Sequence, residues 1–249
     1  METSFRVGGY LVKSYLLILK DLTHCFEKSP NTLTCFHSYD TLERMIKLSD
    51  EILKWAGDEH SKIGQMYSTY LPYRFHLNLA VRIADKYIEL IPEEDREIVR
   101  GAVASHDLLE DTHNTYNDLK NALWNMPLMD EETHQILTGD KITQICEIVY
   151  AVTNEKGRNR KQRANDRYYK GIRETKYASF VKLCDRIANV LFGIMFNGES
   201  EMYEKENPMF LVKLQSEELK DYEQMIYDLD RLFATKAFSF QPLTFPKKD

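Results

Sequence analysis

One imidazole and three carboxylates fall within six residues at His106-Asp107-Leu108-Leu109-Glu110-Asp111. The run follows Gly101-Ala102-Val103-Ala104-Ser105, small and apolar residues that read as a helix packed in a core. A buried helix accepts that many ionisable groups only when a metal or a pairing partner stabilises them. On one continuous helix at about 100° per residue, Glu110 sits about 40° from His106 and Asp111 about 40° from Asp107. All four side chains then share an arc of roughly 140° and can line one cavity. A divalent cation on His106 and Asp107 would leave Glu110 and Asp111 for proton transfer, which is the chemistry of metal-assisted hydrolysis. Two histidines four apart around a glutamate, the zinc-protease spacing, are absent.

Two distant residues extend the set. His76 sits among Leu79, Ala80, Ile83 and Ala84. Alone it reads as a core histidine bonded to a carbonyl. Asp185, in Val181-Lys182-Leu183-Cys184-Asp185-Arg186-Ile187, needs a partner inside so apolar a helix, and Arg186 or another base would serve. Asn189 follows it by one turn. Together His76, His106, Asp107 and Asp185 make a coordination shell of two imidazoles and two carboxylates. Such a set suits Mn, Fe, Zn or Ni better than calcium. Lys141, Lys182 or Arg186 could offset phosphate charge.

These residues resemble the HD phosphohydrolase superfamily, which carries a histidine, a His-Asp pair and a distant aspartate. The local wording is closest to the RelA/SpoT-type hydrolase domain, which removes the 3′ pyrophosphate from guanosine tetra- and pentaphosphate. Its histidine, aspartate, two variable residues and Glu-Asp-Thr correspond to residues 106–112. Its Pro-Tyr-x-x-His corresponds to Pro72-Tyr73-Arg74-Phe75-His76, and its preceding Gly-Gln to Gly64-Gln65. Its Lys-Leu-Ala-Asp-Arg-x-x-Asn corresponds to Lys182-Leu183-Cys184-Asp185-Arg186-Ile187-Ala188-Asn189. The resemblance spans roughly 59–215. It implies that His76, His106, Asp107 and Asp185 bind Mn (with Fe, Zn, Ni or Mg as alternatives), that Glu110 and Asp111 activate or position the attacking water, and that Asn189 faces the nucleotide. Lys182, Arg186, Lys141 and Tyr203 complete the expected substrate contacts, although Tyr203 matches the family's rim segment only loosely. Where the family carries an Arg-Lys pair just after Gly-Gln, this chain has Tyr67-Ser68. Leu77 stands where proline follows the first histidine, and Ser105 precedes the His-Asp pair. Without a following synthetase domain, the chain resembles a stand-alone small alarmone hydrolase.

The elements that must position these groups read as helices nearly throughout. Helical patterns cover 9–26, 39–56, 73–90, a segment from Pro92 through the His-Asp motif, 143–152, 177–195 and 209–232, with a short helix opening at Asn117-Asp118. Proline with acidic residues at Pro92-Glu93-Glu94 suits a helix start. No segment alternates with period two, so the expected fold is an all-α HD-domain helical bundle, a single domain with extra N-terminal helices. The expected organisation is an N-terminal helical extension over 1–58, the HD core over 59–215, and a C-terminal helix and irregular tail over 216–249. Residues 156–176 are basic in an acidic chain, through Lys156, Arg158, Arg160, Lys161, Arg163, Arg167, Lys170, Arg173 and Lys176. That run reads equally as a flexible arm attracting a polyphosphate and as a solvated face. Tyr168-Tyr169 could stack on a base, though packing is the commoner role.

A net charge of -6 argues against binding duplex nucleic acid through a basic surface. No span of about 20 apolar residues offers a membrane helix. Four cysteines without paired spacing fit a reducing cytoplasm. The expectation is a cytoplasmic, metal-dependent phosphohydrolase, a homo-oligomer being compatible with the sequence. It would cleave a nucleotide phosphate or pyrophosphate, in the manner of a guanosine 3′,5′-bis(diphosphate) 3′-pyrophosphohydrolase. The alternatives are a nucleotidase on another nucleotide and a catalytically idle nucleotide-binding module.

Overall fold

A computed structural model describes residues 48–126, 137–196 and 200–243. The chain divides into two units, Met1–Arg44 and Met45–Asp249, and every described residue belongs to the second. The expected helix over 9–26, and residues 39–47 of the next one, lie outside the described residues.

Among the described residues the fold is all-α, without a strand. Helix α1 (Leu48–Lys62) packs on α2 (Arg74–Tyr87) and α3 (Arg96–Ser105). Helix α4 (Leu108–Asp111) is a single turn, and α5 (Tyr116–Asn125) leans on α6 (Gly139–Val152). Two short helices, α7 (Arg160–Arg163) and α8 (Asp166–Glu174), lead to α9 (Ala178–Phe196). Then come α10 (Ser200–Leu214) and α11 (Glu223–Thr235). Helix α1 crosses the expected boundary at 58/59, and its Ile52, Leu53 and Ala56 are buried in the common core.

Helix α9 is the axis of the bundle, in contact with α2, α3, α6, α8, α10 and α11. Its buried residues run all round the helix, from Phe180, Val181 and Leu183 to Val190 and Leu191. A helix apolar on every face must be covered on every face. Asp185 and Arg186 are carried into that interior on it. The chain enters α9 through Tyr177, whose φ of 67° places a non-glycine residue in the left-handed region. The Glu218 carboxylate accepts the Tyr177 backbone N–H at 2.6 Å and fixes that turn.

Two expected elements change, and one of the two readings of the basic run falls away. The segment through the His-Asp motif is not one helix: α3 ends at Ser105 and α4 starts at Leu108. Asp107 sits at φ -94°, ψ -1°, in the bridge region between the main allowed wells, where active-site residues recur. The 100° arithmetic therefore does not carry across the motif. The single C-terminal helix expected over 209–232 is two helices, broken where the Ser216 hydroxyl accepts the Leu219 N–H. Pro208 lies inside α10 rather than before its start. The basic run is not a free arm: the Asn159 and Asn165 side chains cap α7 and α8 by accepting the N–H groups of Gln162 and Tyr168.

Candidate metal centre

His76 comes from α2, His106 and Asp107 from the turn after α3, and Asp185 from α9. Three helices of one core thus converge on one point. One donor atom from each of the four residues lies within 4.8 Å of all the others. His76 Nε2 is 3.1 Å from His106 Nε2, 3.2 Å from Asp107 Oδ2 and 3.3 Å from Asp185 Oδ1. His106 Nε2 is 3.1 Å from Asp107 Oδ2 and 3.7 Å from Asp185 Oδ1.

These separations fit a shared cation. Donors about 2.1 Å from one ion stand about 3.0 Å apart along an octahedral edge and about 3.4 Å apart along a tetrahedral one. The tautomer also fits. His106 donates Nδ1–H to the Val103 carbonyl at 2.8 Å, which leaves the Nε2 lone pair facing the cluster. Charge points the same way. Burial pulls the His106 imidazole down, but Asp107 and Asp185 outweigh it and hold its pKa well above the ordinary range. Burial pushes the Asp107 carboxyl up, and the His106 and His76 imidazoles reverse this, leaving it well below the usual carboxylate range. The four groups call for positive charge at their centre, which protons or a divalent ion can supply.

Other side chains fix the ligands. The Tyr73 hydroxyl donates to Asp107 Oδ2 at 2.6 Å, and the Tyr73 ring stacks on His60 at 4.3 Å. Lys182 donates to Asp185 Oδ2 at 2.7 Å. Asn189 donates to Asp185 Oδ1 and accepts the Tyr67 hydroxyl through its own Oδ1 at 3.0 Å. The Tyr67 ring lies 4.8 Å from His76 and 4.3 Å from Phe192. At the position where the resemblance implies an Arg-Lys pair, this chain therefore places an aromatic ring against His76 of the cluster.

Above the ligands opens a cavity of about 630 Å³, lined by Asp107, Glu110, Asp111, Asp185 and Asn189 among others. Both oxygens of Glu110 accept from Asn154, through its side-chain amide at 2.7 and 2.8 Å and its backbone N–H at 3.2 Å. Burial raises the Glu110 carboxyl above its ordinary value, against the Asn154 hydrogen bonds. Asp111 Oδ2 accepts from Gln65 Nε2 at 2.9 Å, and His60 Nδ1 donates to Gln65 Oε1 at 2.6 Å. Gln65 reaches Asp111 from a loop whose turn at Gly64 has φ +70°, a conformation that favours glycine.

Lys182, Arg186 and Tyr203 also line the cavity, but Lys141 does not. The Lys141 ammonium donates to the Glu94 carbonyl at 3.0 Å, because the first turn of α6 faces the start of α3 rather than the cavity. Of the basic run, Arg160, Lys161 and Arg163 reach the cavity wall. Tyr168 and Tyr169 line it as well, as largely buried rings, and the Tyr168 hydroxyl donates to the Val152 carbonyl at 3.1 Å. Asn154 and Glu206 were not legible in the sequence. Asn154 follows α6 by two residues and meets Glu110 across 44 positions of chain, with no local motif to mark it.

No curated protein matches the chain. The family model described as the HD domain matches residues 75–190, a stretch that holds all four clustered ligands. The chain thus contains an HD domain with a His/Asp cluster suited to a divalent metal, the equipment of a metal-dependent hydrolase.

Proposed function

We propose that this protein is a metal-dependent phosphohydrolase acting on a nucleotide phosphate or pyrophosphate, with a RelA/SpoT-like pyrophosphohydrolase as the favoured subtype. The observation that carries the reading is the joint presence, on one cavity, of a four-donor cluster and a separately held carboxylate pair. Binding alone needs the first and not the second. His76, His106, Asp107 and Asp185 would hold the ion, with Mn the preferred metal and Fe, Zn, Ni or Mg as alternatives. When bound, a divalent ion supplies a lowered water pKa and a polarised phosphoryl oxygen.

The chain's own residues do the rest. Glu110, half-buried and fixed by Asn154, has its carboxyl raised above the ordinary value by burial and is the group assigned to proton transfer. Asp111, held by Gln65, orients the attacking water beside it. Lys182 and Arg186 place positive charge on the cavity wall where phosphate oxygens would lie. Tyr203, half-buried on the cavity wall, is the ring assigned to a base, whereas Tyr168 and Tyr169 belong to the packed core. The free, buried Cys146 and Cys184 suit a cytoplasmic setting. Among the described residues, no helix is long and apolar enough to cross a membrane.

The test is a panel of nucleotides, including guanosine tetraphosphate, incubated with the Mn-loaded full-length protein while phosphate and pyrophosphate are assayed separately. Release from at least one nucleotide is expected, with pyrophosphate as the product from guanosine tetraphosphate. If every nucleotide survives while one binds tightly, the chain is a binding module. If only phosphate appears, and only from other nucleotides, the RelA/SpoT-like subtype falls.

A further inference from the structure

Arg186 is 4% exposed, yet its Nε–H has no hydrogen-bond partner. It lines the cavity on α9, one residue past the ligand Asp185 and therefore turned about 100° from it. Its guanidinium lies 4.3 Å from the centre of the Phe210 ring and 4.8 Å from that of Tyr203. The guanidinium of Arg160 faces the Tyr203 ring at 5.2 Å. A single carboxylate serves both cations: Glu206 Oε2 is 3.1 Å from Arg160 Nη2 and 3.5 Å from Arg186 Nη1.

That arrangement is loose and short of negative charge. Charge-assisted N–H···O bonds close to about 2.7–2.9 Å when the pair is well made. Glu206 meets neither distance, and its side chain is 40% exposed, free to leave. Burial pulls the Arg186 guanidinium below its ordinary range; Glu206 opposes this and the charge of Arg160 adds to it. A planar fork with donors left over, aimed into a cavity beside a second fork, is the chemistry that recognises a tetrahedral oxyanion.

We propose that Arg186 and Arg160 form an anion subsite that Glu206 fills as a stand-in, and that a phosphoryl group of the substrate, other than the one cleaved, displaces the Glu206 carboxylate. The subsite stands on its own geometry. That its occupant is a phosphoryl group of the substrate rests on the phosphohydrolase reading. Glu206 then sets affinity by competition: it offsets the repulsion between the two guanidiniums and weakens any anion that must evict it.

The test titrates inorganic pyrophosphate into the full-length protein by calorimetry, with EDTA present so that no metal takes part. Glu206→Gln keeps the side chain's size and removes its charge, and it is expected to bind pyrophosphate about tenfold more tightly than the wild type. Adding Arg160→Ala, at an exposed position, to Glu206→Gln is expected to abolish that gain. Unchanged or weaker binding by Glu206→Gln, or a gain that survives Arg160→Ala, overturns the proposal. The two readings fail separately. Binding of this pattern in a protein that hydrolyses no nucleotide leaves the subsite standing and removes the hydrolase. Hydrolysis with no response to Glu206→Gln removes the subsite alone.

Discussion

Asp107→Ala is expected to abolish metal binding, whereas Glu110→Gln is expected to keep the metal and lose turnover. Asp107 supplies one of four clustered donors and also receives the Tyr73 hydroxyl. Removing a partner behind a ligand typically costs about 10–100-fold in metal affinity, and removing the ligand itself should cost more. Glu110 is not in the cluster. It is hydrogen-bonded to Asn154 on the cavity wall, and its carboxyl is raised by burial. Loss of one positioned acid or base lowers kcat by about 10²–10⁴-fold. Metal content measured by elemental analysis, beside kcat for the same two proteins, separates the roles. Metal loss in both variants would make Glu110 a ligand, and full turnover in Glu110→Gln would remove it from the chemistry.

Asp228→Ala is expected to destabilise the protein by about 3–5 kcal/mol, because it strands a buried cation. Lys86 on α2 and Asp228 on α11 are 6% and 5% exposed, with Lys86 Nζ 3.2 Å from Asp228 Oδ2. The Tyr87 hydroxyl donates to the same oxygen at 2.8 Å, and Gln224 Nε2 donates to Oδ1 at 3.2 Å. The Lys86 carbonyl also accepts the Leu243 N–H at 2.9 Å, tying the C-terminal segment to α2. Helix α2 carries His76, so this pair holds the metal centre's first helix against the C-terminal helix. Urea unfolding measures the effect. The triple variant Lys86→Met, Tyr87→Phe, Asp228→Leu should recover most of the loss, since it replaces the buried ion pair and the hydroxyl bonded to it by apolar groups of similar volume. A loss below about 1 kcal/mol in Asp228→Ala would mean that the Lys86 ammonium reaches water.

The residues that bear on chemistry were legible because their cost is local. A histidine, an aspartate or an arginine inside an apolar helix needs a reason wherever it occurs, and His76, Asp185 and Arg186 each announced one. Helicity was legible for the same local reason, from the 3.6-residue pattern of α2, α6 and α9. What stayed hidden depends on folding. The break at Asp107 replaces a regular helical face with a turn, and no periodicity encodes that. Asn154 and Glu206 are polar residues at element ends or on exposed surface, ordinary in sequence until the fold sets them against Glu110 and Arg186. Lys141 was misplaced because a lysine near an apolar run carries no mark of the direction its helix faces. The Tyr67-Ser68 departure gained meaning only in space, where Tyr67 packs on His76 and holds Asn189.

We propose that His76, His106, Asp107 and Asp185 hold one catalytic cation. Diffraction from Mn-soaked crystals, recorded for anomalous scattering from Mn, tests it most directly. One dominant peak is expected about 2.0–2.2 Å from a donor atom of each of the four residues. A peak elsewhere, or none while the protein still hydrolyses nucleotides, would contradict it.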